Sequence, residues 1–192
     1  MSTSLREAQI RETRAALLEA GRVLFTRQGF DETSTNAIVG GAGLTRGALY
    51  HHFATGKLGL FEAVLHELQE EIYSSVLNAG NESDSIIEAQ ISAYLEGASR
   101  PDYRRIVLIE APAVLGWDAW HSKEANRWME AMRDGIKALP DGHRLHTLDP
   151  EMLASIMFGA LGEAALRVAS ASDPVGAQAK ALATFRALIG LE

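Results

Sequence analysis

Thr45, Arg46, Gly47 and Ala48 form a run of one cap residue, one long cation and two small residues, and Tyr50, His51 and Lys57 follow shortly after. The chemistry available to such a set is hydrogen-bond donation. An arginine presents two parallel N–H groups that match guanine O6 and N7. Gly47 and Ala48 let a backbone come close to a base edge. The Tyr50 hydroxyl and a His51 ring N–H can donate to phosphate oxygens, and Lys57 opens a helix whose first N–H groups are themselves a phosphate site. Ser34 and Thr35 add two hydroxyls at the start of the preceding helix and join the candidate DNA contacts.

These residues need a platform, and the hydrophobic spacing supplies one. Leu17, Ala20, Gly21, Leu24 and Phe25 fall on one face of a first helix. Gly29 fits the left-handed position after a helix end, with Phe30 as its hydrophobic contact. Ser34 caps a short second helix with Ile38, Val39 and Ala42, Gly43-Leu44 turns, and Thr45 caps a third helix with Leu49 and Phe53. Three short helices with a glycine turn between the last two are a helix-turn-helix pattern, whose third helix enters a major groove through its N-terminal residues.

The rest of the chain is also helical by period. A long helix runs from Lys57 to Leu77, and Asn78 to Asp84 reads as a linker. Ile87, Ile91, Tyr94, Leu95 and Ala98 mark another helix, Pro101 and Pro112 bracket a short one, and Asp118 to Leu139 is a further one. Asp149-Pro150 and Asp173-Pro174 each place a cap before a proline at the first helical position and open the last two helices. No stretch alternates like a strand. The expected fold is all-α, about nine helices: a helix-turn-helix domain over 1–57 and a larger helical domain over 58–192.

Composition sets bounds on function. The chain has 192 residues, no cysteine and a net charge of −7. Disulfides, thiolate catalysis and cysteine-bound zinc are thereby excluded. Residues 1–57 carry seven Lys/Arg and five Asp/Glu, whereas 58–192 carry eleven and twenty. The first segment can approach phosphates and the second should face away from them. The N-terminus lacks the apolar core of a signal peptide and no apolar run approaches the ~20 residues of a membrane span. A cytoplasmic protein with no membrane partner is expected.

Residues 17–64, "LLEAGRVLFTRQGFDETSTNAIVGGAGLTRGALYHHFATGKLGLFEAV", resemble the TetR-type repressors. Leu24-Phe25, Gly29-Phe30, Thr33-Ser34, Ile38, Gly43, Gly47 and Leu49 to Phe53 carry the resemblance, and "EAPAVLGWDAW" (Glu110 to Trp120) is similar to one large subgroup. The resemblance implies a homodimer on a two-half-site, double-stranded operator, and an effector pocket in the second domain that lowers DNA affinity when filled. It places phosphate contacts at Tyr50 and Lys57 and base contacts at Thr45 to Ala48. Two departures stand out. The segment Phe53 to Lys57 has one residue more before the lysine than the commonest form. Gly40-Gly41 lies within the second helix, at up to ~1 kcal/mol per glycine relative to alanine.

In the second domain, Tyr94, Trp117, Trp120, Trp128, Met129 and Met132 are the candidate ligand-binding residues, although such a stripe also suits an ordinary core. The helix from Asp149 to Ser170 is apolar on nearly every side, so one face should pack inward and another on a symmetry mate. Met157, Leu161, Gly162, Ala165, Leu182, Phe185 and Ile189 are the expected dimer interface. His143 and His146, near Asp141 and Asp149, read as loop residues rather than metal ligands, and no cofactor, metal or catalytic residue is expected. Gly41 to Gly47 has the wrong spacing and follows a helix, so it is no dinucleotide loop, and Gly56-Lys57 lacks the rest of a P-loop. The rival readings are a helical enzyme or metal-binding bundle, and a DNA-binding activator without effector.

Overall fold

The computed structural model describes residues 2–83 and 85–191, with the side chains of residues 2–4, 117 and 121–126 outside that description. Helix α1 (Ser2–Glu32) carries Leu17, Leu18 and Phe25 into the core and is broken at Gly29, whose φ of 82° no L side chain adopts comfortably. The break turns Phe30 back onto Phe25 and Phe61, with ring centroids 6.0 and 5.1 Å away. Ser34 Oγ accepts from Ala37 N–H at 3.1 Å and starts α2 (Thr35–Gly41), and Thr45 Oγ1 accepts from Ala48 N–H at 3.3 Å and starts α3 (Arg46–His52). Both caps are those expected from the sequence.

Helix α4 (Lys57–Asn81) runs from the three-helix head into the rest of the molecule. It continues four residues beyond Leu77, so the expected linker is corrected. Gly80 stays helical and buried, close against Gln90 and Ile86, and the connection is only residues 82–85, with Asp84 outside the described residues. Antiparallel to α4 lies α5 (Ile86–Ala98), which buries Ile87, Ile91, Tyr94, Leu95 and Ala98.

Between Pro101 and Pro112 the chain forms a π-helix (Tyr103–Glu110) that runs into α6 (Ala111–Leu115). Its widened turn is closed by Ala111 N–H reaching back five residues to the Ile106 carbonyl. Pro112 gives the reason: it has no N–H for the Leu108 carbonyl, and its ring would press on that oxygen in a regular helix. Gly116 separates α6 from α7 (Trp117–Lys137). A 3-10 turn (Arg144–Thr147) leads to α8 (Pro150–Ser170) and α9 (Pro174–Ile189), capped by Asp149 and Asp173 as expected.

Nine α-helices and no strand are present among the described residues. One apolar core runs through both parts, from Leu17 and Phe61 to Phe185 and Ile189.

Two expectations about α8 and α9 change. By length and composition α8 is long and apolar enough to cross a membrane, contrary to the sequence reading, and only 28% of its most apolar stretch is buried. It packs on α5, α7 and α9 through Ala154, Met157, Leu161, Ala165 and Val168. Met157, Leu161 and Ala165, with Phe185 and Ile189 of α9, are thus interior to the protomer and have no surface left for a partner. Leu182 is half-buried against the core, and Gly162 stands over a cavity. The large apolar residues left exposed are Met152 and Ile156 on α8 and Val175 and Leu188 on α9.

Candidate nucleic-acid interface and effector cavity

On the head, Thr45, Arg46 and Gly47 are exposed at the start of α3 and Ala48 is half-buried. Leu49, fully buried, and Phe53 fasten the other side of the helix to α1 and α2. Ser34 is exposed and Thr35 half-buried one helix away. Arg46 does not float free. Its Nε donates to Asn36 Oδ1 at 2.7 Å, so α2 aims the guanidinium through a residue that the sequence did not single out. Tyr50, 55% exposed, lays its ring against the backbone of Gly56. A Cβ at Gly56 would sit 2.7 Å from Tyr50 Cε1, and φ there is +62°, so glycine is required on both counts. His51 is exposed and meets His52 edge-on, with centroids 5.2 Å apart. Desolvation holds the His52 imidazole below its ordinary value, helped by His51 and Arg14, which favours a neutral ring.

Lys57 differs from expectation. Its ammonium donates to the Phe30 carbonyl at 2.8 Å and lies 4.1 Å from the Phe30 ring centroid, half-buried between α1 and α4. It holds the end of α1, and its sequence-assigned phosphate contact has an internal competitor.

In the second part a cavity of about 300 Å³ opens between α4, α5, the π-helix, α7 and α8. Its wall is mostly aromatic and aliphatic: Tyr94, Tyr103, Val107, Leu108, Trp120, Trp128, Phe158 and Leu166. Of the six residues expected to bind a ligand, Tyr94, Trp120 and Trp128 line it. Met132 lies one layer away, beside Tyr94 and Trp128 in a much smaller void, and Met129 packs on the core without reaching the cavity. The Trp117 side chain is outside the described residues. Burial pushes the Tyr94 hydroxyl up to about 12 against the opposing hydrogen bond with Tyr103, so it is neutral at any physiological pH. Tyr103, Phe158, Gln69 and Gly162 were not expected here. They come from three different elements, α4, the π-helix and α8, and sequence periodicity shows only that the three outside glycine face inward or sideways.

Two acids flank the π-helix and grip α1. Asp102 Oδ2 accepts from Arg22 Nη2 at 2.6 Å and from Nε at 2.9 Å. Glu110 Oε2 accepts from Phe30 N–H at 3.2 Å, the amide freed by the break at Gly29, while Arg105 holds its other oxygen at 2.8 Å. Arg22 also binds Glu71 at 2.8 Å, and Arg100 joins Glu71 and Asp102 at 2.8 and 2.9 Å.

No group of three or more metal-ligating side chains occurs among the described residues. His143 Nδ1 accepts from Leu145 N–H, and a His146 ring nitrogen meets the Ile136 carbonyl, so both histidines hold the loop together.

The description "Bacterial regulatory proteins, tetR family" matches residues 17–64, and "Tetracyclin repressor-like, C-terminal domain" matches residues 85–191. This chain belongs to the TetR family.

A TetR-family transcriptional regulator from Pectobacterium atrosepticum is 33% identical, with 95% of this chain and 94% of that one covered at a TM-score of 0.74. A TetR-family regulator from Streptomyces coelicolor shares the fold at 21% identity, covering 94% and 95% of the two chains with a TM-score of 0.77. RolR in complex with resorcinol also shares it at 18% identity, covering 97% and 91%, with a TM-score of 0.62. Among curated relatives, the transposon Tn10 TetC protein of Escherichia coli is 20% identical over 95% of this chain and 93% of its own length. The repressor BepR of Brucella suis is 31% identical, but over 53% of this chain and 50% of its own length. TetR-family membership makes this protein a DNA-binding transcriptional regulator of a class that acts as dimers on operator DNA.

Proposed function

We propose that this TetR-family protein is a ligand-responsive repressor of the cytoplasm, with no catalytic activity, in which residues 1–57 read the operator and residues 58–192 dimerise and take up an effector. One observation carries the reading: the π-helix that lines the cavity with Tyr103, Val107 and Leu108 also bears, at its two ends, the acids that hold α1 of the head. A ligand that shifts this segment acts directly on the platform of the reading helix. A tilt of α4, which runs from the head into the second part, is one route for the signal. The clasps add a second and shorter route.

In this scheme Thr45, Arg46, Gly47 and Ala48 face base edges, while Ser34, Thr35, Tyr50 and His51 contact phosphates. The dimer forms through the exposed apolar side of α8 and α9, around Met152, Ile156 and Leu188. That role explains why so apolar a helix is left largely uncovered in one protomer. The effector favours the DNA-incompetent state, because equal affinity for both states shifts nothing. Resorcinol bound by RolR supports a small aromatic molecule as the kind of compound this fold accommodates.

Selection of bound sequences from random duplex DNA tests the first half. Near-palindromic sites with half-site centres about 34–36 Å apart, or somewhat more, are expected. Ligand titrations with and without operator test the second. A coupling of ~1–3 kcal/mol lowers operator affinity about 5–150-fold, and operator must weaken ligand binding by the same factor. A ligand that binds identically in both arms is not the effector.

A further inference from the structure

We infer that the cavity selects an uncharged aromatic compound of about two fused rings carrying one hydrogen-bonding group, and that Gln69 reads that group. The inference rests on the effector reading above and specifies its ligand.

Size comes first. A void of ~150 Å³ lined by apolar side chains accepts benzene, and the cavity here is about 300 Å³. Shape comes next: Tyr94, Tyr103, Trp120, Trp128 and Phe158 wall the space with flat rings, which favour a flat guest through offset and edge-to-face contacts.

Charge excludes more than shape does. Among the described residues lining the cavity there is no lysine, arginine or histidine, so a carboxylate or phosphate would lose its hydration without a partner. Among the described residues the only carboxylic acid on the wall is Glu163. It lies exposed at the rim, already paired with Arg167 at 2.7 Å, and offers little to a buried cation. An uncharged guest has no such penalty.

Gln69 supplies the polar point of recognition. It is 4% exposed, one of two buried polar residues among those described, and its amide makes no hydrogen bond to another described residue while keeping a little accessible surface. Buried amides are otherwise satisfied. It stands on α4 in the partition, with Trp120, between the cavity and a more open hollow of about 520 Å³. A ligand hydroxyl or carbonyl in the cavity would give the amide a partner that no described residue supplies. A guest without such a group would leave it unmet.

The test uses full-length protein and isothermal titration calorimetry with three probes of one ring system: 2-naphthol, 2-naphthoate and naphthalene. At pH 7 2-naphthol should bind at least tenfold more tightly than 2-naphthoate. Gln69→Leu should weaken 2-naphthol about three- to tenfold, the scale of one hydrogen bond, and leave naphthalene unchanged. That unchanged arm shows the variant is folded. Gly162→Leu, at a helical position on the cavity wall where an added Cβ meets nothing within 4 Å, should block all binding. Equal or tighter binding of 2-naphthoate, still blocked by Gly162→Leu, overturns the ligand class and leaves the effector site standing. Equal losses for 2-naphthol and naphthalene in Gln69→Leu overturn the role of Gln69. If no probe binds, or Gly162→Leu blocks none, the inference and the effector reading fall together.

Discussion

Arg22 on α1 and Asp102 at the start of the π-helix are joined by two hydrogen bonds of 2.6 and 2.9 Å, across 80 residues of sequence. Both side chains are largely shielded, at 24% and 18% exposure. Shielding raises the Asp102 carboxyl, but the hydrogen bonds from Arg100 and Arg22 outweigh it and leave the group below the ordinary carboxylate range. The pair is therefore charged at neutral pH and ties α1 of the head to the π-helix.

A double-mutant cycle of Arg22→Ala and Asp102→Ala should give a coupling of about 1 kcal/mol in chemical unfolding, since the pair is only partly desolvated. A depressed carboxyl contributes stability above its unfolded value of about 3.9 and loses it as pH falls through the lower folded value. The stability gap between the parent protein and Asp102→Asn should accordingly be widest above about pH 4 and close below it. If the clasp transmits the ligand signal, Asp102→Asn should also reduce the ligand-induced loss of operator affinity while ligand affinity itself is kept.

Arg46→Ala should lose ~1–3 kcal/mol on the cognate operator and relax preference at one base pair. Titrations on cognate and scrambled duplexes decide it. An equal loss on both would make Arg46 a phosphate contact. Asn36→Ala should show a smaller loss at the same base pair, because Asn36 Oδ1 accepts from Arg46 Nε and aims the guanidinium.

Lys57→Met should destabilise the DNA-free protein by about 1 kcal/mol, by removing the charged donor from the Phe30 carbonyl. It should change the salt slope of operator binding by less than one unit. A full unit would return Lys57 to the phosphate contacts.

Ile156→Arg should give monomers in sedimentation and a collapse of operator affinity, with the head still folded. Leu161→Arg, five residues along α8 and so on its buried side, should unfold the protein instead. A dimeric Ile156→Arg variant would move the interface away from this face.

Gly40→Ala should raise Tm by about 2 °C. Gly40 is helical and an added Cβ meets nothing within 4 Å, so only the ~0.5–1 kcal/mol of backbone entropy changes. A fall in Tm would mean that α2 uses the bare glycine.

Local rules settled much of this molecule. Ser34, Thr45, Asp149 and Asp173 cap helices as their types and positions require. Gly29 breaks α1, and the exposed start of α3 follows from a period that buries Leu49 on the opposite side. Capping, helical period and glycine dihedrals act over a few residues, so one sequence contains them. What lay beyond it was the choice of partner among distant groups. Nothing near Arg22 names Asp102, nothing near Lys57 names the Phe30 carbonyl, and Gln69 looks like any polar residue on a long helix until α5, α7 and α8 close around it. Nor does an all-round apolar helix state which side turns inward. The period put Met157 and Leu161 on a plausible interface, whereas packing on α5, α7 and α9 drew them into the protomer and left Met152 and Ile156 outside. Helical periodicity fixes which residues share a face, but only the competition among several helices for the same core decides which face is buried first.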